Sequence, residues 1–252
     1  MLTILGGGGW FPANGRHTAT ALLRNGRQAI MIDAGTGVAR LVERPELING
    51  CDTLDIVLSH FHLDHISGLA YLPALSLCDQ TRVWGPGQLL YGRPTFDVLD
   101  RLTHEPVHPV PLEQQHIEVR DLPGFELELA GMRVAMRRQD RHTAPTLAFR
   151  FDDQLTWITD TAYDPESARF AAGCELLAHE AWFVTGNPRN EMIHSSAAQA
   201  AQVAVDSGIE RLLLIHLPPF QESVEELVTE ARATAPLAEP AAEGMGVAVF
   251  VP

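Results

Sequence analysis

The stretch Thr53-Leu54-Asp55-Ile56-Val57-Leu58-Ser59, followed by His60-Phe61-His62-Leu63-Asp64-His65, decides how the rest of this chain is read. Its first part is an apolar run with the length of a buried strand. Three histidines and one aspartate then arrive within six positions. On an extended turn His60 and His62 face the same side, because side chains alternate along extended backbone. A tighter turn through Asp64 and His65 carries a carboxylate and a third imidazole to a second position close by. Imidazoles and carboxylates suit zinc, manganese or iron, and a pair of such ions can clamp both the attacking and the leaving oxygen of a hydrolysis. Surface solvation of a strand end does not explain so dense a cluster. Residues 68–72 continue the segment as a helix.

Outward from this motif, short apolar runs alternate with turn signals along the whole chain. Strands are predicted at residues 2–5, 28–32, 53–58, 82–84, 125–129, 132–136, 146–151, 155–159, 176–181, 211–216 and 247–251. Helices are predicted at 198–207, with Ser195 or Ser196 as its cap and Gly208 as its stop, and at 222–233. Strands followed by helices in each half imply an α/β fold of two sheets packed face to face with helices outside, formed by residues 1–252 as one domain. The least regular stretch, 93–115, holds Pro94, Pro106, Pro109 and Pro111 with His104 and His108. It reads as a loop or lid, since long irregular loops in compact domains tend to be functional. His104, His108 and His116 are taken as surface or lid residues.

Bulk properties narrow the partners. The 252 residues are 46% apolar and 20% charged, an ordinary globular balance. A formal charge of −14, with no Lys/Arg-rich segment, argues against long nucleic acid as a ligand. Small anions remain possible, because bound cations would offset the negative charge locally. Cys51, Cys78 and Cys174 lack CxxC spacing and are odd in number, so they read as buried hydrophobes in a reducing, cytoplasmic setting. No apolar run reaches the length of a membrane span. The tract Gly6 to Gly9 follows a strand but lacks the rest of a dinucleotide fingerprint, and it reads as a close-approach loop beside the metal site. Trp10 and Phe11 are candidates for the substrate cavity, with core packing as the expected fate.

The His-x-His-x-Asp-His string resembles the second motif of the metallo-β-lactamase superfamily, and other stretches resemble that family's remaining motifs in the right order. The resemblance implies a four-layer αββα sandwich. It also implies that Asp33 orients the histidine cluster, although a plain turn aspartate before Gly35 fits this residue equally well. His142 in Arg141-His142-Thr143-Ala144-Pro145 completes a first site with His60 and His62. Asp160 bridges to a second site made with Asp64, His65 and His216. The cofactors implied are two divalent ions, zinc first with manganese or iron as alternatives.

Three stretches lean toward the ribonuclease Z and phosphodiesterase-like branch: residues 141–151, 176–183 and 194–198. By that resemblance His194 protonates a leaving group or steadies the phosphoryl oxygens, Glu180 orients it, and Asp64 both ligates and takes the proton of the attacking water. A helix-start position beside Ser195 is the plain alternative for His194, and His179 reads as a buried, hydrogen-bonded residue. The branch also suggests a homodimer. One departure matters: only 17 residues, 143–159, separate His142 from Asp160, where bacterial ribonuclease Z carries a long arm that grips transfer RNA. The expectation is therefore hydrolysis of a small phosphodiester. A carbonyl-directed hydrolase (lactonase, thioesterase or β-lactamase-like) and a non-catalytic metal-binding domain are the competing readings.

Overall fold

The structure is a computed structural model that describes residues 1–75, 78–186, 191–219 and 223–249. Among the described residues the strands run β1 (Leu2–Gly6), β2 (Thr20–Asn25), β3 (Gln28–Ile32), β4 (Thr53–Val57), β5 (Gln80–Gly85), β6 (Glu118–Asp121) and β7 (Glu126–Leu129). They continue as β8 (Met132–Gln139), β9 (Thr146–Phe151), β10 (Leu155–Ile158), β11 (Leu176–Glu180), β12 (Arg211–Ile215), β13 (Glu239–Pro240) and β14 (Gly246–Val247). They form two sheets, in the orders β14-β1-β2-β3-β4-β5-β6 and β13-β12-β11-β10-β9-β8-β7.

Alternation within each strand builds the layers. From β1 to β4, Ile4, Leu23, Ile30, Ile32 and Val57 point inward to meet Phe149, Phe151, Trp157 and Ile215 of the second sheet in one shared core. The intervening residues Leu22, Met31, Leu54 and Ile56 point outward under the helices Ala39–Glu43 and Thr95–Thr103. On the far side, Ala148, Ile158, Leu177 and Leu214 lie beneath the helices Glu166–Ala171, Ala197–Ser207 and Val224–Arg232. Both faces of the central strands are covered, which is why they read as continuous apolar runs. The four-layer αββα expectation is met.

Several stretches depart from the sequence reading, and the strands β6 and β13 and the helices Ala39–Glu43, Gly87–Tyr91 and Glu166–Ala171 were not anticipated. Residues 93–115 are not a lid: they contain the helix Thr95–Thr103 and a short 3-10 turn, Leu112–Gln114. Their prolines flank the helix rather than interrupt it, with Pro94 at its start, and Leu99 and Leu112 are buried in the outer core. His108 anchors the segment by pairing its Nε2 with the Ala70 carbonyl at 3.0 Å. The strand β2 was not anticipated, although Asn25-Gly26, with Gly26 at φ 60°, is a hairpin signal directly before β3. Residue 222 of the second predicted helix and residues 250–251 of the last predicted strand lie outside the described residues.

The strands β3 to β6 run parallel, as do β10 to β13. Asp33, His60, Asp160 and His216 all follow the carboxyl ends of such strands, and Glu180 closes β11. In open parallel sheets those ends are where ligands bind. No helix among the described residues is long and apolar enough to cross a membrane.

Candidate metal centre

Three of these strand ends turn sharply. Asp33, Asp160 and His216 have φ of 55°, 51° and 49°, in the left-handed region that Asp and His enter more readily than most residues. The turns bring residues from across the chain onto one cavity of about 270 Å³, lined by Trp10, His62, Asp64, His142, Asp160 and His216 among others. Two glycines permit the close packing. A Cβ on Gly9 would sit 2.4 Å from the His216 ring, and one on Gly35 would sit 2.1 Å from the Asp64 carbonyl oxygen. The glycine tract is thus a close-approach loop, as read from sequence.

Ligand-capable atoms of His60, His62, His142 and Asp160 lie within 4.8 Å of one another, and so do those of Asp64, His65 and His216. Asp160 stands between the groups: its Oδ2 is 3.0 Å from His65 Nε2, and its Oδ1 is 3.4 Å from His216 Nε2 and 3.6 Å from His142 Nε2. The seven residues expected from sequence are therefore together.

The hydrogen bonds behind the rings fix which nitrogen faces inward. His142 Nδ1 donates to the Ile193 carbonyl at 2.8 Å, so its Nε2 carries the lone pair toward His62 and Asp160. His65 Nδ1 meets Asp33 Oδ2 at 2.8 Å, so its Nε2 faces the carboxylates. Asp33 is fully buried and also accepts from the Ser59 backbone N–H at 2.7 Å and the Ser59 hydroxyl at 2.9 Å. It is therefore more than a turn residue. Groups that orient metal-binding imidazoles usually contribute 10- to 100-fold in metal affinity. Asp33→Asn is expected to weaken zinc binding by about that factor in a competition titration against a chromophoric chelator; unchanged affinity would refute the orienting role.

Electrostatics favour cations here. His60 is buried, and burial first, then the nearby His65, keeps its pKa well below the ordinary value, so it is a neutral donor. Its Nε2 has no hydrogen-bond partner. An unsatisfied buried polar atom costs about 1–3 kcal/mol, and a cation within reach of His62, His142 and Asp160 supplies the missing partner. Burial alone would push Asp160 up, but His216 and His65 outweigh it and hold its pKa well below the carboxylate range. At Asp64 burial is likewise overcome by His65 and His216, and the pKa is lowered. Two ionised carboxylates facing five imidazoles are a donor set that fits two divalent ions.

His194 and Glu180 form the remaining wall. Glu180 is fully buried and pairs through Oε2 with His194 Nδ1 at 2.8 Å, while its Oε1 accepts the Thr161 N–H. Ser196, and not His194, caps the helix Ala197–Ser207 with a complete capping box. His179 is buried with Nδ1 against the Glu180 carbonyl, away from the cluster. Two participants, Trp182 and Ser59, were not picked out from sequence, and Trp10, read there as a candidate for the cavity, contributes its backbone. Trp182 stacks on His194 at 4.6 Å, Ser59 braces Asp33, and Trp10 donates its backbone N–H to Asp64 Oδ2 at 2.7 Å. Trp182 lies two residues beyond Glu180, and period-two alternation would have placed it on the same side. Trp10 and Phe11 are not core residues: they are 60% and 41% exposed.

The sequence profile described as Beta-lactamase superfamily domain matches residues 28–217, which contain all seven of these histidines and aspartates. The chain belongs to the beta-lactamase superfamily. Within it, ribonuclease Z of Methanopyrus kandleri is 26% identical over 296 aligned positions, covering 99% of this chain and 98% of that protein. Those positions exceed the 252 residues here by 44, so the relative carries at least 44 residues without counterpart in this chain. Among solved structures, the metallo-β-lactamase fold protein YhfI of Bacillus subtilis superposes with a TM-score of 0.77 at 21% identity, covering 96% of each chain. A diphosphatase of the PhnP family superposes with 0.74 at 18% identity, covering 97% of this chain and 95% of its own. These superpositions bear out the fold of the superfamily member.

Proposed function

We propose that this metal-dependent hydrolase of the beta-lactamase superfamily cleaves a small phosphodiester. The observation that carries the reading is the buried Glu180–His194 pair on the cavity wall, at 2.8 Å. A carboxylate behind an imidazole keeps the ring oriented, and an imidazole held on the cavity wall is a group that can move a proton. An acid in that place helps expel an alkoxide, a poorer leaving group than those of most activated carbonyl substrates.

In this reading His60, His62, His142 and Asp160 would hold one divalent ion, and Asp64, His65 and His216, with Asp160 beside them, would hold the other. Zinc is the first candidate, with manganese and iron as alternatives. Such ions, when bound, acidify water and neutralise phosphoryl charge. Asp64, kept ionised by His65 and His216 and steadied by the Trp10 N–H, accepts the proton of the attacking water. His194 returns a proton to the departing oxygen. Glu180 holds that ring, and Trp182 stacks against it.

A small substrate is favoured by the short 143–159 connection and by the charge of −14, which repels an extended phosphate backbone. A relative named ribonuclease Z and a structural neighbour named as a diphosphatase add support for phosphorus-centred chemistry. The test is a panel with zinc supplied: bis(p-nitrophenyl) phosphate beside a lactone, a thioester and a cephalosporin. Turnover of the diester at a kcat/KM at least about tenfold above the others is expected. Turnover of the carbonyl substrates alone would refute the proposal.

A further inference from the structure

The cavity has two aromatic walls that differ in depth. Trp182 is buried and lies against both His194 and His216, with centroids 4.6 and 5.1 Å away. Trp10 also lines the cavity but stands at its rim, 60% exposed. An indole is a large apolar surface that folding normally buries, and here it lines the cavity mouth with the half-exposed Phe11 beside it.

The backbone reinforces this placement. Trp10 has φ 64°, a conformation that bulky side chains rarely adopt. Strain of this kind persists at functional sites where the surroundings enforce it. Here Gly9 packs against the His216 ring, and the next residue gives its N–H to Asp64 at 2.7 Å. One dipeptide thus touches both ends of the second metal-ligand group and presents an indole over the same opening. Phe11 braces that indole edge-on, with centroids 5.3 Å apart at 62°.

Size gives the next step. About 270 Å³ is less than the roughly 300–1,000 Å³ of pockets that enclose a whole drug-sized ligand. A cavity of this size holds a phosphoryl group and its immediate neighbours and leaves the far end of a larger substrate at the rim. A flat ring leaving the cavity there meets the Trp10 face, and stacking on a tryptophan accepts any nucleobase.

We propose that Trp10 is a specificity platform that stacks on a nucleobase carried by the small phosphodiester whose phosphorus sits at the His/Asp cluster. This inference rests on the phosphodiester reading above. Trp10 contributes twice: its N–H positions Asp64, and its ring selects substrates that carry a planar group.

The experiment compares thymidine 5′-(p-nitrophenyl phosphate) with methyl p-nitrophenyl phosphate, which share the leaving group and the reacting phosphorus. The zinc-supplied wild type is expected to prefer the thymidine ester by at least about tenfold in kcat/KM, which corresponds to about 1.4 kcal/mol. Trp10→Ala should collapse the preference ratio toward one, mostly through KM, and Trp10→Phe should retain most of it. Intrinsic fluorescence adds a readout independent of turnover. Thymidine 5′-monophosphate should quench the wild type, and the quenching should shrink in Trp10→Phe.

A wild-type ratio near one, or a ratio that Trp10→Ala leaves intact, overturns the platform while the phosphodiester function stands. Turnover of neither ester overturns both. A rim covered instead by a second copy of the chain would appear in light scattering as a dimer that Trp10→Ala dissociates, and that result also overturns the platform.

Discussion

Asp160→Ala is expected to lower phosphodiester turnover by at least about a thousandfold and to reduce the bound zinc below two ions per chain. The carboxylate lies within 3.0–3.6 Å of ring nitrogens from His65, His216 and His142, which belong to both ligand groups. Its removal leaves those imidazoles facing one another without the charge that offsets their mutual repulsion in a buried setting. A thousandfold loss corresponds to about 4 kcal/mol of transition-state stabilisation, in keeping with disabling one ion of a two-ion clamp. Asp160→Asn separates charge from volume: it keeps the shape and should still lose most of the activity. Metal content by elemental analysis, with thermal melts to verify folding, checks the prediction. Two zinc ions per chain together with turnover within tenfold of wild type would refute the bridging role.

How far the sequence alone carried this site depends on how local each signal is. His60, His62, Asp64 and His65 were legible without any comparison, because four ligands in six positions have no competing explanation. Asp33, His142, Asp160 and His216 are single polar residues at strand ends, each ordinary in isolation. Only resemblance to a family's ordered motifs linked them; the geometry groups His142, Asp160 and His216 with the cluster and sets Asp33 behind His65. The central strands β1, β3, β4 and β10 to β12 were legible for a related reason: burial on both faces produces continuous apolar runs. The misreadings came where tertiary context overrode local composition. Prolines at 94, 106, 109 and 111 suggested an irregular lid, yet they bracket a helix whose Leu99 is fully buried. For Trp10 the sequence favoured core packing over the cavity wall, since a positive φ in a tryptophan is imposed by packing around Gly9 and Asp64 and has no propensity behind it.

His194→Ala is expected to produce the other large effect, and its size should depend on the substrate. General acid catalysis contributes about 10²- to 10⁴-fold where the leaving group needs a proton. Diesters that release an alkoxide should therefore slow by about that factor. Diesters that release p-nitrophenolate, which departs without help, should slow by about tenfold or less. Glu180→Gln should fall in between, because the amide retains the volume behind His194 Nδ1 and loses the carboxylate that accepts from it. The stack of Trp182 on His194 keeps the ring plane defined in that variant. Metal content discriminates against the competing arrangement, since a nitrogen of His194 also lies within 4.8 Å of ligand atoms on Asp160 and His216. As a proton donor, His194 can be removed with two zinc ions still bound. A fall in zinc stoichiometry in His194→Ala, with equal slowing of alkoxide and nitrophenolate substrates, would make it a ligand and would leave the leaving oxygen without its acid.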